Sequence, residues 1–176
     1  MNKAVFLDRD GVVNKPMIKE GKPYPPLSIN ELELMPGVVE GCKILRSAGY
    51  LLVIATNQPD VGRGTMSQDV VEEIHRHLQT EIGFDRIEVC YESGNGGLEY
   101  PMRKPAPGML LHAASNMNID LTGSWMIGDR WRDVDCGTNA GCKTIFIDLE
   151  YSEKLHSKPN FIVKNFSEAV AKILKS

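Results

Sequence analysis

What the sequence lacks narrows it before any motif is read. Its four cysteines, Cys42, Cys90, Cys136 and Cys142, form no CxxC pair and no His/Cys cluster of zinc spacing, so the pattern of a disulfide scaffold or zinc module is missing. All but Cys90 sit among apolar or small residues, the setting of core thiols, and a reduced, cytoplasmic protein is the expectation. No apolar stretch approaches the length of a membrane span, and Asp8 interrupts the first hydrophobic run, which argues against a signal peptide. Positive charge is not in excess either. The 20 Lys and Arg stand against 23 Asp and Glu, a balance with no general attraction to polyanions, so nucleic acid is not an expected partner. Internal repeats, low-complexity tracts and linker-like segments are also missing. Residues 1–176 therefore read as a single domain, long enough to bury a core without staples.

What is present begins at Val5-Phe6-Leu7-Asp8-Arg9-Asp10-Gly11-Val12, an apolar run that ends abruptly in two carboxylates and a glycine. It reads as a buried strand delivering Asp8 and Asp10 to its C-terminal edge, with Gly11 allowing a sharp turn. Carboxylates this close repel unless a cation lies between them or one keeps its proton. An Asp-rich turn closing a strand is the plainer alternative. Residues 14–30 follow, with Lys15, Lys19, Lys22 and the run Pro23-Tyr24-Pro25-Pro26. Prolines remove donors and fix φ, so this segment reads as a loop, neither helix nor central strand, forming a flap over the strand ends.

The remainder alternates between two periods. Pro36-Gly37 opens a helix whose apolar stripe is Val38, Cys42, Leu45 and Ala48. The continuous apolar run Tyr50–Thr56 reads as a strand covered on both faces. It ends in Thr56-Asn57-Gln58, then Pro59 to Gly64, where hydroxyl, amides and free backbone N–H groups suit an oxyanion and Arg63 supplies a charged partner; a plain turn has the same composition. Ser67 to Gly83 reads as an amphipathic helix, on which His75 and His77 are expected to be surface residues. Arg86–Tyr91 supplies a third strand, a loop over residues 92–103 leads into Arg103-Lys104-Pro105, and Pro107–Asn118 forms a helix on which His112 is read as a bystander. A fourth strand ending in Gly128-Asp129, with Asp133 beyond, a short helix, a fifth strand at Lys143–Asp148, a short strand and a final helix complete the chain.

Strands alternating with helices imply an α/β fold, a mostly parallel sheet flanked by helices in three Rossmann-like layers, with sites at the carboxyl ends of the strands. Asp8 and Asp10, Thr56 to Gln58, Arg103 with Lys104, and Asp129 with Asp133 all follow predicted strand ends. One rim collects them. Carboxylates from two strands can hold a hard divalent ion, and Mg²⁺ takes a few carboxylates plus a substrate phosphate. With Lys104 and the Thr56 hydroxyl, the rim suits phosphoryl transfer.

The order DxDG, TNQ, RKP and GDxxxD resembles the haloacid dehalogenase superfamily of aspartate-nucleophile phosphohydrolases, through nearly the whole chain. TNQPDVGRG and RKPAPGML resemble the subgroup of heptose bisphosphate and histidinol-phosphate phosphatases. The resemblance implies that Asp8 attacks phosphorus and Asp10 acts as acid and then base. It also implies that Thr56 bonds the phosphoryl group and Lys104 neutralises charge. Mg²⁺ would be held by Asp8, the Asp10 backbone carbonyl and Asp129, with Asp133 in support. Asn57 and Arg103 match positions near the substrate phosphate, and Gln58 and Arg63 are taken as further substrate contacts.

Relatives in this subgroup commonly carry a zinc loop before RKP. Here only Cys90 survives, with Glu92, Tyr100 and Met102 at the other ligand positions, so no zinc is expected. The gaps between motifs leave no room for a large cap domain. An open site of this kind suits a sugar bisphosphate or other small phosphate ester, and the absence of a cap or heptad leaves a monomer as the expectation. A histidinol-phosphate or nucleic-acid-end phosphatase is the alternative enzyme, and a phosphoester-binding module without turnover is the alternative outside enzymes.

Overall fold

A computed structural model describes residues 1–19, 22–94 and 99–176 of the chain. Its centre is a six-stranded, wholly parallel sheet in the order β5-β4-β1-β6-β7-β8. The strands are β1 (Lys3–Leu7), β4 (Tyr50–Asn57), β5 (Arg86–Cys90), β6 (Trp125–Gly128), β7 (Lys143–Ile147) and β8 (Phe161–Val163). The helices are α1 (Val38–Ser47), α2 (Pro59–Gly62), α3 (Gln68–Glu81), α4 (Gly108–Met117), α5 (Trp131–Ala140) and α6 (Phe166–Leu174). Among the described residues there is no cap domain, and no helix is long and apolar enough to cross a membrane.

The period-two alternation of the strands divides the core in two. Val5, Leu7, Leu52, Ile54, Trp125 and Ile127 face one side, where α1, α3 and α6 supply Leu45, Leu78 and Phe166. Ala4, Phe6, Val53, Ala55 and Met126 face the other, against Met109 and Leu110 of α4 and Cys136 of α5. Burial on both faces explains why these strands read as continuous apolar runs. Of the two tryptophans, Trp125 is buried and stacks on Phe161 with ring centroids 5.9 Å apart.

Two segments depart from the sequence reading. The proline-rich flap is not wholly loop: β2 (Met17–Lys19) and β3 (Lys22–Tyr24) pair as an antiparallel ribbon, followed by a single 3₁₀ turn at Ile29–Glu31. Pro23 is tolerated because a two-stranded ribbon has free edges, where a missing N–H breaks no ladder. Glu20, Gly21 and residues 95–98 of the expected substrate-side loop lie outside the described residues, as do the side chains of Lys19 and Lys22. The second departure is α2, a single turn where only loop was expected; Pro59 at its first position has no N–H to leave unpaired.

Candidate active site

β1 sits at the middle of the sheet, and its register sets the site. Leu7 pairs with Ile54 on one side and Ile127 on the other, and the Asp8 N–H bonds the Ile127 carbonyl at 3.0 Å. The residues that leave β1, β4 and β6 therefore meet at one level, as expected for groups following the strand ends of a parallel sheet. They open onto a cleft of about 290 Å³ lined by Asp8, Asp10, Asn57, Lys104, Asp129 and Asp133, with Pro23, Tyr24 and Pro25 of the flap as one wall.

At its floor, Lys104 Nζ lies 2.8 Å from Asp8 Oδ1 and 2.6 Å from Asp133 Oδ1. Asp129 completes a group of three carboxylates whose oxygens lie within 4.8 Å of one another. Two glycines make that crowding possible. Gly11 has φ +94°, and a Cβ there would fall 2.0 Å from Asp129 Oδ2; a Cβ on Gly128 would fall 2.0 Å from Asp133 Cβ. Asp133 is fixed from its own helix, accepting the Arg130 N–H at the start of α5 through Oδ2 at 3.0 Å.

Three clustered carboxylates surround one buried ammonium, which pairs with Asp8 and Asp133, and the titration of Asp8, Asp129 and Lys104 reflects the deficit. Burial pushes the Asp8 carboxyl up to about 6, against the pull of Lys104. Asp129 is driven well above the carboxylate range by burial and then by the charges of Asp8 and Asp133. Burial acts to lower Lys104, yet Asp133 and Asp8 hold it above the usual lysine range. Among the described residues, Asp129 Oδ1 is buried with no hydrogen-bond partner. A missing positive charge, hard oxygen donors and an orphaned carboxylate oxygen fit a divalent cation such as Mg²⁺.

Asp10 is built differently. Its Oδ1 accepts from Arg9 Nε at 3.3 Å, Arg9 Nη2 at 3.1 Å and Asn14 Nδ2 at 2.9 Å. Its Oδ2 accepts from Arg9 Nη2 at 3.0 Å and Gln58 Nε2 at 2.8 Å. Gln58 is thus turned behind the cleft, also donating to Thr56 Oγ1 at 3.0 Å. The sequence read Gln58 as a substrate contact and Thr56 as a phosphoryl contact; of the three residues Thr56 to Gln58, Asn57 lines the cleft, while Thr56 and Gln58 are buried beside it and bonded to each other.

The remaining expected contacts divide. Asn57 lines the cleft but clamps the Lys104 backbone, with Nδ2 to its carbonyl at 3.0 Å and Oδ1 from its N–H at 3.1 Å. Arg103 reaches the cleft while its Nη1 donates to the Glu92 carbonyl at 2.8 Å. Arg63 is at the exposed rim, paired with Asp60 at 3.1 Å. Arg130 and Arg132 also line the cleft; Arg130 is paired with Glu153, and Arg132 lies over the Trp131 ring, 4.6 Å from its centroid. Lys15 pairs with Glu33 rather than lining the cleft.

Sequence reading passed over Arg9, Asn14 and His75. The first two carried a local signal, a cation between two aspartates and an amide four residues after Asp10. His75 carried none, and the expectation that it lies at the surface is corrected: it is 5% exposed, with Nε2 3.3 Å from Arg9 Nη1. His112, read as a bystander, pairs through Nδ1 with Glu88 at 3.0 Å.

Comparison with known proteins agrees with this geometry. A family model described as HAD-hydrolase-like matches residues 101–169. The chain is 32% identical to the D-glycero-beta-D-manno-heptose-1,7-bisphosphate 7-phosphatase of Pasteurella multocida (strain Pm70), covering 99% of this chain and 98% of that one. It is 33% identical to the D-glycero-D-manno-heptose-1,7-bisphosphate 7-phosphatase of Thermosynechococcus vestitus, covering 95% and 93%. Among solved structures it matches D,D-heptose 1,7-bisphosphate phosphatase from B. bronchiseptica, in complex with magnesium and phosphate. There the TM-score is 0.79 and the identity 27%, over 98% of each chain.

Proposed function

On the premise that the chain belongs to the haloacid dehalogenase-like hydrolases and is a phosphatase, we propose that it hydrolyses a small sugar bisphosphate, with a heptose 1,7-bisphosphate the first candidate. The observation that carries the mechanism is the group of Asp8, Asp129 and Asp133 around a single ammonium at the floor of the cleft. The substrate assignment rests on the relatives, and is taken over from them by analogy.

Asp8 and Asp129, with the Asp10 backbone carbonyl, would hold Mg²⁺, with Asp133 supporting them. When bound, the ion supplies charge neutralisation for a substrate phosphate among these carboxylates. Asp8 attacks phosphorus: a bond forms from its carboxylate oxygen, the bond to the sugar oxygen breaks, and Asp10 gives that oxygen its proton. Water then attacks the aspartyl-phosphate, its proton passes to Asp10, and Asp8 departs as carboxylate. Lys104 offsets negative charge on Asp8 and the transferring group throughout, and the Thr56 hydroxyl, which accepts from Gln58 and keeps its own proton to donate, would bond a phosphoryl oxygen reaching the cleft floor. Preorganised charges of this kind are the main catalytic resource in phosphoryl transfer. Arg103, Asn57 and Arg63 face the rest of the ester. No structural zinc takes part, since Cys90 stands alone among the ligand positions and donates to Glu92 Oε2 at 3.6 Å.

Phosphate release from heptose 1,7-bisphosphate, hexose phosphates, histidinol phosphate and a 3′-phosphorylated oligonucleotide, with Mg²⁺ or chelator, tests this reading. Mg²⁺-dependent release from the heptose bisphosphate, abolished in Asp8→Asn, is expected. Preference for histidinol phosphate or the oligonucleotide would replace the substrate. Silence across the panel, with binding retained, would point to a phosphoester-binding role.

A further inference from the structure

We infer that His75, on α3 and outside every motif of the site, is a positioning residue for the acid–base step, acting through Arg9 on Asp10. The inference rests on the acid–base role proposed for Asp10 and deepens it.

Arg9 is fully buried, and a guanidinium keeps its charge. Its Nε and Nη2 are committed to the Asp10 carboxylate. That leaves Nη1, which in the interior needs an acceptor of its own. The acceptor is His75 Nε2, 3.3 Å away. Nε2 can accept only with its lone pair free, so the ring is neutral and carries its proton on Nδ1. Burial, then the Arg9 charge, holds the imidazole down at about 4, against the opposing pull of Glu72 and Asp10. Glu72, one turn earlier on α3, is engaged by the Tyr91 hydroxyl from the end of β5.

The mechanical consequence concerns one planar fork. Asp10 is three residues past the end of β1, beside a glycine with φ +94°, and it keeps 18% of its side chain exposed. Its orientation is set by side chains. Arg9 provides three of the five hydrogen bonds it accepts, and His75 holds the edge of the same guanidinium that faces away from Asp10. Without that acceptor the guanidinium is free to tilt toward another, and Asp10 tilts with it. A carboxyl displaced by even 1 Å from the departing oxygen is a poor acid.

The test compares His75→Phe, which fills the space without an acceptor, with His75→Gln, whose amide oxygen can accept, and uses Asp10→Asn as the reference. Each is assayed with Mg²⁺ on an alkyl phosphate turned over by the wild type and on p-nitrophenyl phosphate, whose leaving group departs without a proton. For His75→Phe, kcat on the alkyl phosphate should fall about tenfold to a hundredfold with KM little changed. The burst of nitrophenol from the first turnover should survive, and His75→Gln should recover most of the lost rate. In ¹⁵N-histidine NMR spectra of the wild type, Nε2 of His75 should be the unprotonated nitrogen at pH 6. Equal losses of the first-turnover rate on both substrates, no recovery in His75→Gln when it is folded, or a protonated Nε2 would overturn the inference. If the first turnover of Asp10→Asn itself shows no leaving-group dependence, the acid role of Asp10 has failed instead.

Discussion

Asp8 and Asp10 are separated by one residue and occupy opposite electrical environments. Asp8 faces two further carboxylates across a single ammonium; Asp10 is ringed by donors from Arg9, Asn14 and Gln58. The first arrangement is short of positive charge and can be completed by a cation. The second is already complete, and holds its carboxylate in one orientation. Two identical side chains thus acquire different settings from their surroundings alone, one open to a cation and the other held in one orientation by its donors.

The comparison can be broken most directly by neutralising each aspartate in metal-free protein. Asp10→Asn strips a fully buried guanidinium of its counterion, and removal of one partner from such a pair costs about 3 kcal/mol or more. Asp8→Asn removes one of three crowded anions while Lys104 keeps Asp133, so its thermal midpoint should rise. Thermal unfolding in chelator measures both, and equal losses in the two variants would abolish the distinction. Gly11→Ala sharpens the comparison from the backbone. Its Cβ would lie 2.0 Å from Asp129 Oδ2 in a left-handed conformation, so Asp129 must move. Turnover should fall by roughly a hundredfold, as for other 1 Å misplacements, with Mg²⁺ affinity by calorimetry falling alongside; undiminished Mg²⁺ affinity would show that Asp129 does not need this approach.

The smallest effect is the response to acid. His75 has a folded pKa of about 4, below its usual 6.5, so the unfolded chain binds the proton first. Its contribution is intact above pH 6.5 and is lost as pH falls toward 4, about 2 kcal/mol of it by pH 5. Asp8 runs the other way, because its folded value of about 6 lies above 3.8, and metal-free protein gains stability from it as pH falls. The difference in urea midpoint between wild type and His75→Gln from pH 7 to pH 5 isolates the histidine. A constant difference would mean that His75 is not held neutral by the fold.

Legibility in the sequence followed the range of the interactions. The strands were visible because burial on both faces writes an unbroken apolar run, and the rim was visible because every polar motif followed one. Asp8, Lys104, Asp129 and Asp133 announced themselves as charges at strand ends. Gln58 and His75 did not. Whether a side chain at a strand end faces the cleft or its back depends on alternation counted from an exact boundary, and the partner of His75 lies 66 residues away. The ribbon in the flap was hidden for a different reason: its prolines forbid a place inside a sheet, and β2–β3 needs only an edge.

The paired hydrogen bonds between the Asn57 amide and the Lys104 backbone have an evolutionary consequence. They fasten the Lys104 backbone to the end of β4 directly, and the bond from Arg103 to the Glu92 carbonyl closes the base of the intervening segment. A change of sequence between those two fastenings would leave Lys104 in register with Asp8, because both fastenings lie outside that stretch. Diversification of substrate in such a scaffold needs no renegotiation of its chemistry.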